Sequence, residues 1–243
     1  MIIGNRNCVV ECDVKKLNFE SQLKVLKENK FYRFGDLIFK DGGGRWESDR
    51  EVVKNNEEFK DTILCEYLTQ VSNDSEPDCE LLKKIVQEHT LKNKYEIPVE
   101  NELVIHLRLG DIFQKSKYEK LRVKRLKKSV DRLFENDNVL NSNPDALGKI
   151  TVVTALHYGA NETNGKHFFN KLSYNQNLSF LKNVEERINE RGFELNLVSN
   201  ESTDLDLCYM ANSKYFVKGC SNFSHIIEKC MKKGVHIMDY TYR

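Results

Sequence analysis

From residue 102 to residue 239, short apolar, partly β-branched runs alternate with longer segments of helical period, and no other feature restricts the fold so strongly. Residues 102–108, 149–156, 193–198, 214–218 and 235–239 have the length and composition of buried strands. Helical segments fall near 118–135, 176–191, 203–212 and 222–233. Ser202, Thr203 and Asp204 offer capping groups, and Gly192 and Gly234 stand where helices stop. Strands joined through helices predict a parallel sheet with right-handed crossovers, that is, an α/β fold. In such a sheet ligands bind at the carboxyl ends of the strands.

The first part of the chain reads differently. Residues 8–12 and 31–39 have strand character, and residues 17–29 carry Leu17, Leu23 and Leu26 at helical spacing. Asp41-Gly42-Gly43-Gly44-Arg45-Trp46-Glu47 is either a plain loop or one that lies over a ligand, with Arg45 and Glu47 at its reactive edge. Residues 50–71 form one helical stripe through Val53, Phe59, Ile63, Leu64, Tyr67 and Leu68, and residues 80–91 form another through Leu81, Leu82, Ile85 and Val86. Ile97-Pro98-Val99 separates this region from the alternating one, so the expected domains are 1–98 and 99–243.

Composition narrows the function classes. The 243 residues carry 38 Lys+Arg against 37 Asp+Glu, a formal net charge of +1, which gives no electrostatic footprint for nucleic acid. The basic stretch 115–128 has Tyr118, Leu121, Val123 and Leu126 at near-helical spacing and reads as a solvated helix face. No apolar run approaches the roughly 18 residues of a membrane span, and the first residues lack the order of a signal peptide. Seven cysteines without a Cys-x-x-Cys pair suggest reduced thiols and a cytoplasmic protein. A zinc site from Cys208, Cys220, His225 and Cys230 is conceivable, but its spacing follows no common pattern.

Chemistry concentrates at two strand ends. Glu102 to Phe113 reads ELVIHLRLGDIF: an apolar strand, then His106 and Arg108 on one face of the extended chain, then the turn pair Gly110-Asp111. A guanidinium at the end of a buried strand either meets an anion, such as a phosphate, or pairs with Asp111 to brace the turn. The second is Gly219-Cys220-Ser221-Asn222-Phe223-Ser224, which joins a strand to a helix. Unpaired N–H groups and the positive dipole end favour an anion there, although Ser221 could also serve only as a cap. Upstream, Asp204-Leu205-Asp206 opens a short helix. It mimics a metal-binding Asp-x-Asp, but it precedes a helix rather than following a buried strand.

His106-Leu107-Arg108-Leu109-Gly110-Asp111 resembles the His-x-Arg-Arg-Gly-Asp motif of the GDP-fucose-dependent fucosyltransferase superfamily, with Leu109 in place of the second Arg. Ser221-Asn222-Phe223-Ser224 resembles its Ser/Thr-Phe-Ser element, and the helix of Asp206 resembles its Asp-containing helix. The resemblance covers about residues 100–240; the family's Gly-Asn-Gln pattern near the N-terminal glycine loop is absent. It implies a GT-B-like fold: a Rossmann-like C-terminal domain that binds the nucleotide sugar, and an N-terminal α/β acceptor domain reduced to fewer than a hundred residues.

The implied function is that of an inverting, metal-independent fucosyltransferase, moving fucose from GDP-fucose to a glycan hydroxyl without a cofactor. Donor-binding residues would be His106, Arg108, Gly110, Asp111, Asp206, Ser221, Asn222, Phe223 and Ser224. Arg108 would hold the β-phosphate, Asp206 the guanine N1–H and amino group, and His106 would shape the base pocket. Arg108 is also the catalytic residue, because stabilising the departing diphosphate is the main task. Glu47 and His157, with Asp41, are the base candidates. Two alternatives stand beside this: transfer of another sugar on the same scaffold, and a non-catalytic nucleotide-binding module.

Overall fold

The computed structural model describes residues 79–109, 111–113, 119–136, 147–154, 160–163, 166–198, 203–219, 222–231 and 235–238. The expected elements before residue 79 lie outside the described residues.

Helix α1 (Cys79–Asn93) leads into strand β1 (Glu102–His106), and a 3-10 turn (Asp111–Phe113) precedes helix α2 (Glu119–Asn136). Strand β2 (Lys149–Val153) is followed by the β3 (Ala160–Thr163) and β4 (Lys166–Phe169) hairpin, helix α3 (Lys171–Asn189) and strand β5 (Leu195–Val198). Helix α4 (Thr203–Ala211), β6 (Tyr215–Val217), α5 (Asn222–Cys230) and β7 (Val235–Met238) complete the order. The main sheet has five strands in the order β5-β2-β1-β6-β7, every neighbouring pair parallel. Each strand expected from the alternation is present.

The hairpin and the start of α3 were not legible in the periodicity. Helix α3 begins at Lys171, ahead of the expected 176, because Asn170 caps it by accepting from the Ser173 N–H at 3.0 Å. Ser173, Tyr174 and Asn177 are buried in its first turns, so the apolar stripe starts later than the helix does. At the other end Gly192 takes φ 81°, and Phe193 N–H returns to the Ile188 carbonyl at 3.3 Å, the left-handed stop its position in the sequence suggested.

Successive β1 side chains point to opposite faces. Leu103, Ile105 and Leu107 pack with Leu126 and Leu133 of α2 and Leu181 and Ile188 of α3. Val104 packs on the other face with Val153, Phe216, Leu207 and Met210 of α4, Ile227 of α5 and Ile85 and Val86 of α1. Helix α1, which precedes residue 98, therefore shares a core with the strands that follow it. Helices cover both faces, and all five β1 residues are buried.

The amino end of β1 carries a buried polar cluster. Glu102 Oε1 accepts from Thr151 Oγ1 and, at 2.6 Å, from the Tyr209 hydroxyl; Glu102 Oε2 accepts from Val99 N–H at 3.1 Å. Asn196 Nδ2 donates to Thr151 Oγ1 at 3.1 Å, and Lys149 Nζ lies 3.9 Å from Glu102 Oε1. Burial, and then the bond to the carboxylate, raise the Tyr209 ionisation above its ordinary value.

The folded state thus holds that proton more tightly than the unfolded state, and the sign follows. The contribution is complete below about pH 10 and is lost as pH climbs through the raised folded-state value. Tyr209→Phe is expected to lose about 1.5–3 kcal/mol at neutral pH, the range for a hydrogen bond to a charged group. Its deficit relative to the wild type should shrink above about pH 10. Denaturant titrations of both proteins across that range check this; a deficit constant with pH would refute it.

Candidate functional site

The sheet order reverses at β1. The chain runs outward from β1 to β2 and β5, then returns across β1 to β6 and β7. The connection leaving β1 leads to the face covered by α2 and α3, and that leaving β6 leads to the face covered by α4 and α5. Where neighbouring strands send their chains to opposite faces, a crevice opens outside their carboxyl ends. In this protein that switch point lies between β1 and β6.

Three segments meet there. His106 closes β1 and is buried at 7 % exposure. Its Nδ1 is hydrogen-bonded to Ser224 Oγ, a group 118 residues away in sequence and wholly buried. The Phe223 ring stands edge-on to the imidazole, centroids 5.6 Å apart and planes at 78°. Gly219, just past β6, lies beneath both. A Cβ added to it would run into the His106 carbonyl oxygen and stand 3.2 Å from His106 Nδ1 and from Ser224 Oγ. Close approach of two backbones thus requires glycine there.

Arg108 follows two residues after His106 and is exposed. Its neighbours Leu107 and Leu109 are buried at 3 % and 2 % and belong to the core with Ile112 and Phe113. Leu107 N–H still bonds to Val153 O at 3.1 Å, and the Phe113 carbonyl accepts from Ser173 Oγ at 2.8 Å. The segment carrying Arg108 is therefore anchored on both sides. Leu109, where the fucosyltransferase motif has its second Arg, is a core side chain.

Asp206 is buried at 1 % exposure in α4, the helix that follows β5 and packs on the same face as His106. Asp111 begins the 3-10 turn, and Asn222 begins α5. Gly110, Ser221, Glu47 and His157 lie outside the described residues.

Two side chains at this edge escaped the sequence reading. Lys218, 4 % exposed, sits between β6 and Gly219 and pairs with Glu228 of α5 at 2.7 Å. A charged residue at the end of a buried strand was the signal that singled out Arg108, and it applied equally here. Thr154, just past β2, is 1 % exposed, and among the described residues its hydroxyl has no hydrogen-bond partner. Nothing in its sequence context marks it.

The α5 amino end carries no acidic residue in its first turn, which leaves its dipole unopposed by a carboxylate there. Cys208 and Cys230 are buried thiols, and Cys208 Sγ donates to the Val86 carbonyl at 4.0 Å. Among the described residues no cluster of three His, Cys, Asp or Glu could hold a metal ion, and no helix is long and apolar enough to cross a membrane. Compared with family models, with curated proteins and with solved structures, the chain matches none. What stands is an α/β protein with a parallel sheet, helices on both faces, and a cluster of buried polar side chains at the strand ends where the order reverses.

Proposed function

We propose that the protein is a metal-independent, inverting glycosyltransferase that takes fucose from GDP-fucose to a glycan hydroxyl, with residues 99–243 as the Rossmann-like donor half of a GT-B-like scaffold. The observation that carries the reading is the meeting of the two motifs at the switch point of the sheet. The two motifs that resemble the fucosyltransferase elements flank the reversal of strand order, and His106 of one is bonded to Ser224 of the other. Switch points of open α/β sheets are where nucleotides bind.

In this reading the diphosphate lies at the α5 amino end, where first-turn N–H groups suit an anion. Arg108 approaches the β-phosphate from the β1 side, and its contact strengthens as the glycosidic bond breaks and charge grows on the leaving group. Asp206 is the guanine acceptor that the resemblance assigns, although the fold buries its side chain at 1 % exposure, and His106 shapes the base pocket. Acceptor deprotonation falls to Glu47, Asp41 or His157, or occurs without a protein base. Leu109, committed to the core, cannot supply the second cation of the motif. That favours, as the second reading, transfer of another sugar on the same scaffold.

Thermal shift in excess EDTA tests the donor assignment. GDP at 100 times its Kd should stabilise the protein by about 2.7 kcal/mol, or roughly 2–4 °C per kcal/mol for a chain of this length. UDP and ADP should do less. A larger shift with UDP would overturn the guanine assignment, and a requirement for manganese would restore the Asp204/Asp206 metal reading. Release of GDP from GDP-fucose alone separates an enzyme from a binding module.

A further inference from the structure

The resemblance counts Ser224 among the residues that touch the donor, yet its side chain has no exposed surface, and its oxygen is bonded to His106 Nδ1. Three groups fix that imidazole. Ser224 holds one ring nitrogen, the Phe223 edge limits the tilt, and Gly219 lies beneath with no room for a side chain. A histidine ring otherwise turns freely between two edges, and terminal χ2 torsions are broad. The bond to one nitrogen selects which edge is turned toward Ser224 and which away from it.

We propose that Ser224 is a positioning residue: its hydroxyl holds the His106 imidazole by Nδ1 so that the ring meets the donor nucleotide in a single orientation. This rests on the nucleotide-site reading above, and it deepens that reading by giving Ser224 a role through His106 instead of through phosphate. Gly219 belongs to the same device, since it allows β6 and the α5 amino end to approach the ring closely enough for the bond.

Ser224→Thr and Ser224→Val test it, because the two side chains share a shape and differ in one hydroxyl. GDP affinity by calorimetry should be about tenfold weaker in the Val form than in the Thr form, the order of one hydrogen bond. The His106 Nδ1 resonance in 15N NMR should move between the two forms, and the Val form should melt lower because it leaves that nitrogen without its buried partner. Equal GDP affinities in both forms would overturn the proposal. If the wild type binds no GDP, the nucleotide reading fails by itself, and the ring resonance decides the positioning: an unchanged Nδ1 signal overturns it, and a moved one upholds it. Should a β-branched side chain be too large for this buried position, Ser224→Ala against the wild type gives the same two readouts.

Discussion

Arg108→Lys is expected to fold like the wild type and to turn over about 10²–10³ times more slowly, the cost of a lost charge-assisted contact in the transition state. Lysine keeps the charge but loses the planar fork that grips two phosphate oxygens. Arg108 is exposed, while Leu107 and Leu109 on either side are anchored in the core and are untouched by the exchange. The melting temperature should therefore stay near that of the wild type. If the arginine only braced the turn through Asp111, the pattern would invert, with a lower melting temperature and normal kcat for the folded fraction. Measuring both on one preparation decides, and a well-folded variant with normal kcat removes Arg108 from the chemistry.

Gly219→Val should damage the site and the fold together. The nearest obstacle to any new Cβ is the main-chain carbonyl of His106, which cannot swing aside as a flexible side chain would. Accommodating it means parting β1 from the segment that follows β6, next to the Ser224–His106 bond. Overpacking of a tight interior typically costs about 1–3 kcal/mol, and a rigid backbone obstacle puts this case at or above the upper end. Gly219→Ala should show a smaller loss in the same direction. GDP binding should fall in both, further in Val. Denaturant unfolding and calorimetry on the pair check this; a Val form with wild-type stability would mean that β1 and the post-β6 segment do not approach as described.

The strands were legible because a buried parallel strand is a short apolar run, β-branched in 149–153 and partly so in 102–106, and leucine-rich in 195–198. The order of the strands was not. Which strand neighbours which depends on packing between distant segments, so the β1–β6 switch point and the His106–Ser224 contact across 118 residues emerge only in three dimensions. The two motifs could be placed at strand ends, but not at the same place. Leu109 looked in sequence like a gap in a motif, and in the fold it is a core residue. Nothing in the sequence marks Glu102, because its partners Thr151 and Tyr209 come from other elements.

Strand β1 is tied down at both ends on the same side: Glu102 to Tyr209 of α4, and His106 to Ser224 of α5. Side-chain direction has a period of two, so a slip of one residue would turn both polar groups into the apolar layer formed with α2 and α3. Two mismatched polar groups would then have to be desolvated at once, and a misaligned sheet would be rejected while it is still forming. The strand works as a ruler with a mark at each end, so the alignment that assembles the hydrophobic layers is the one that brings His106 level with the α5 amino end.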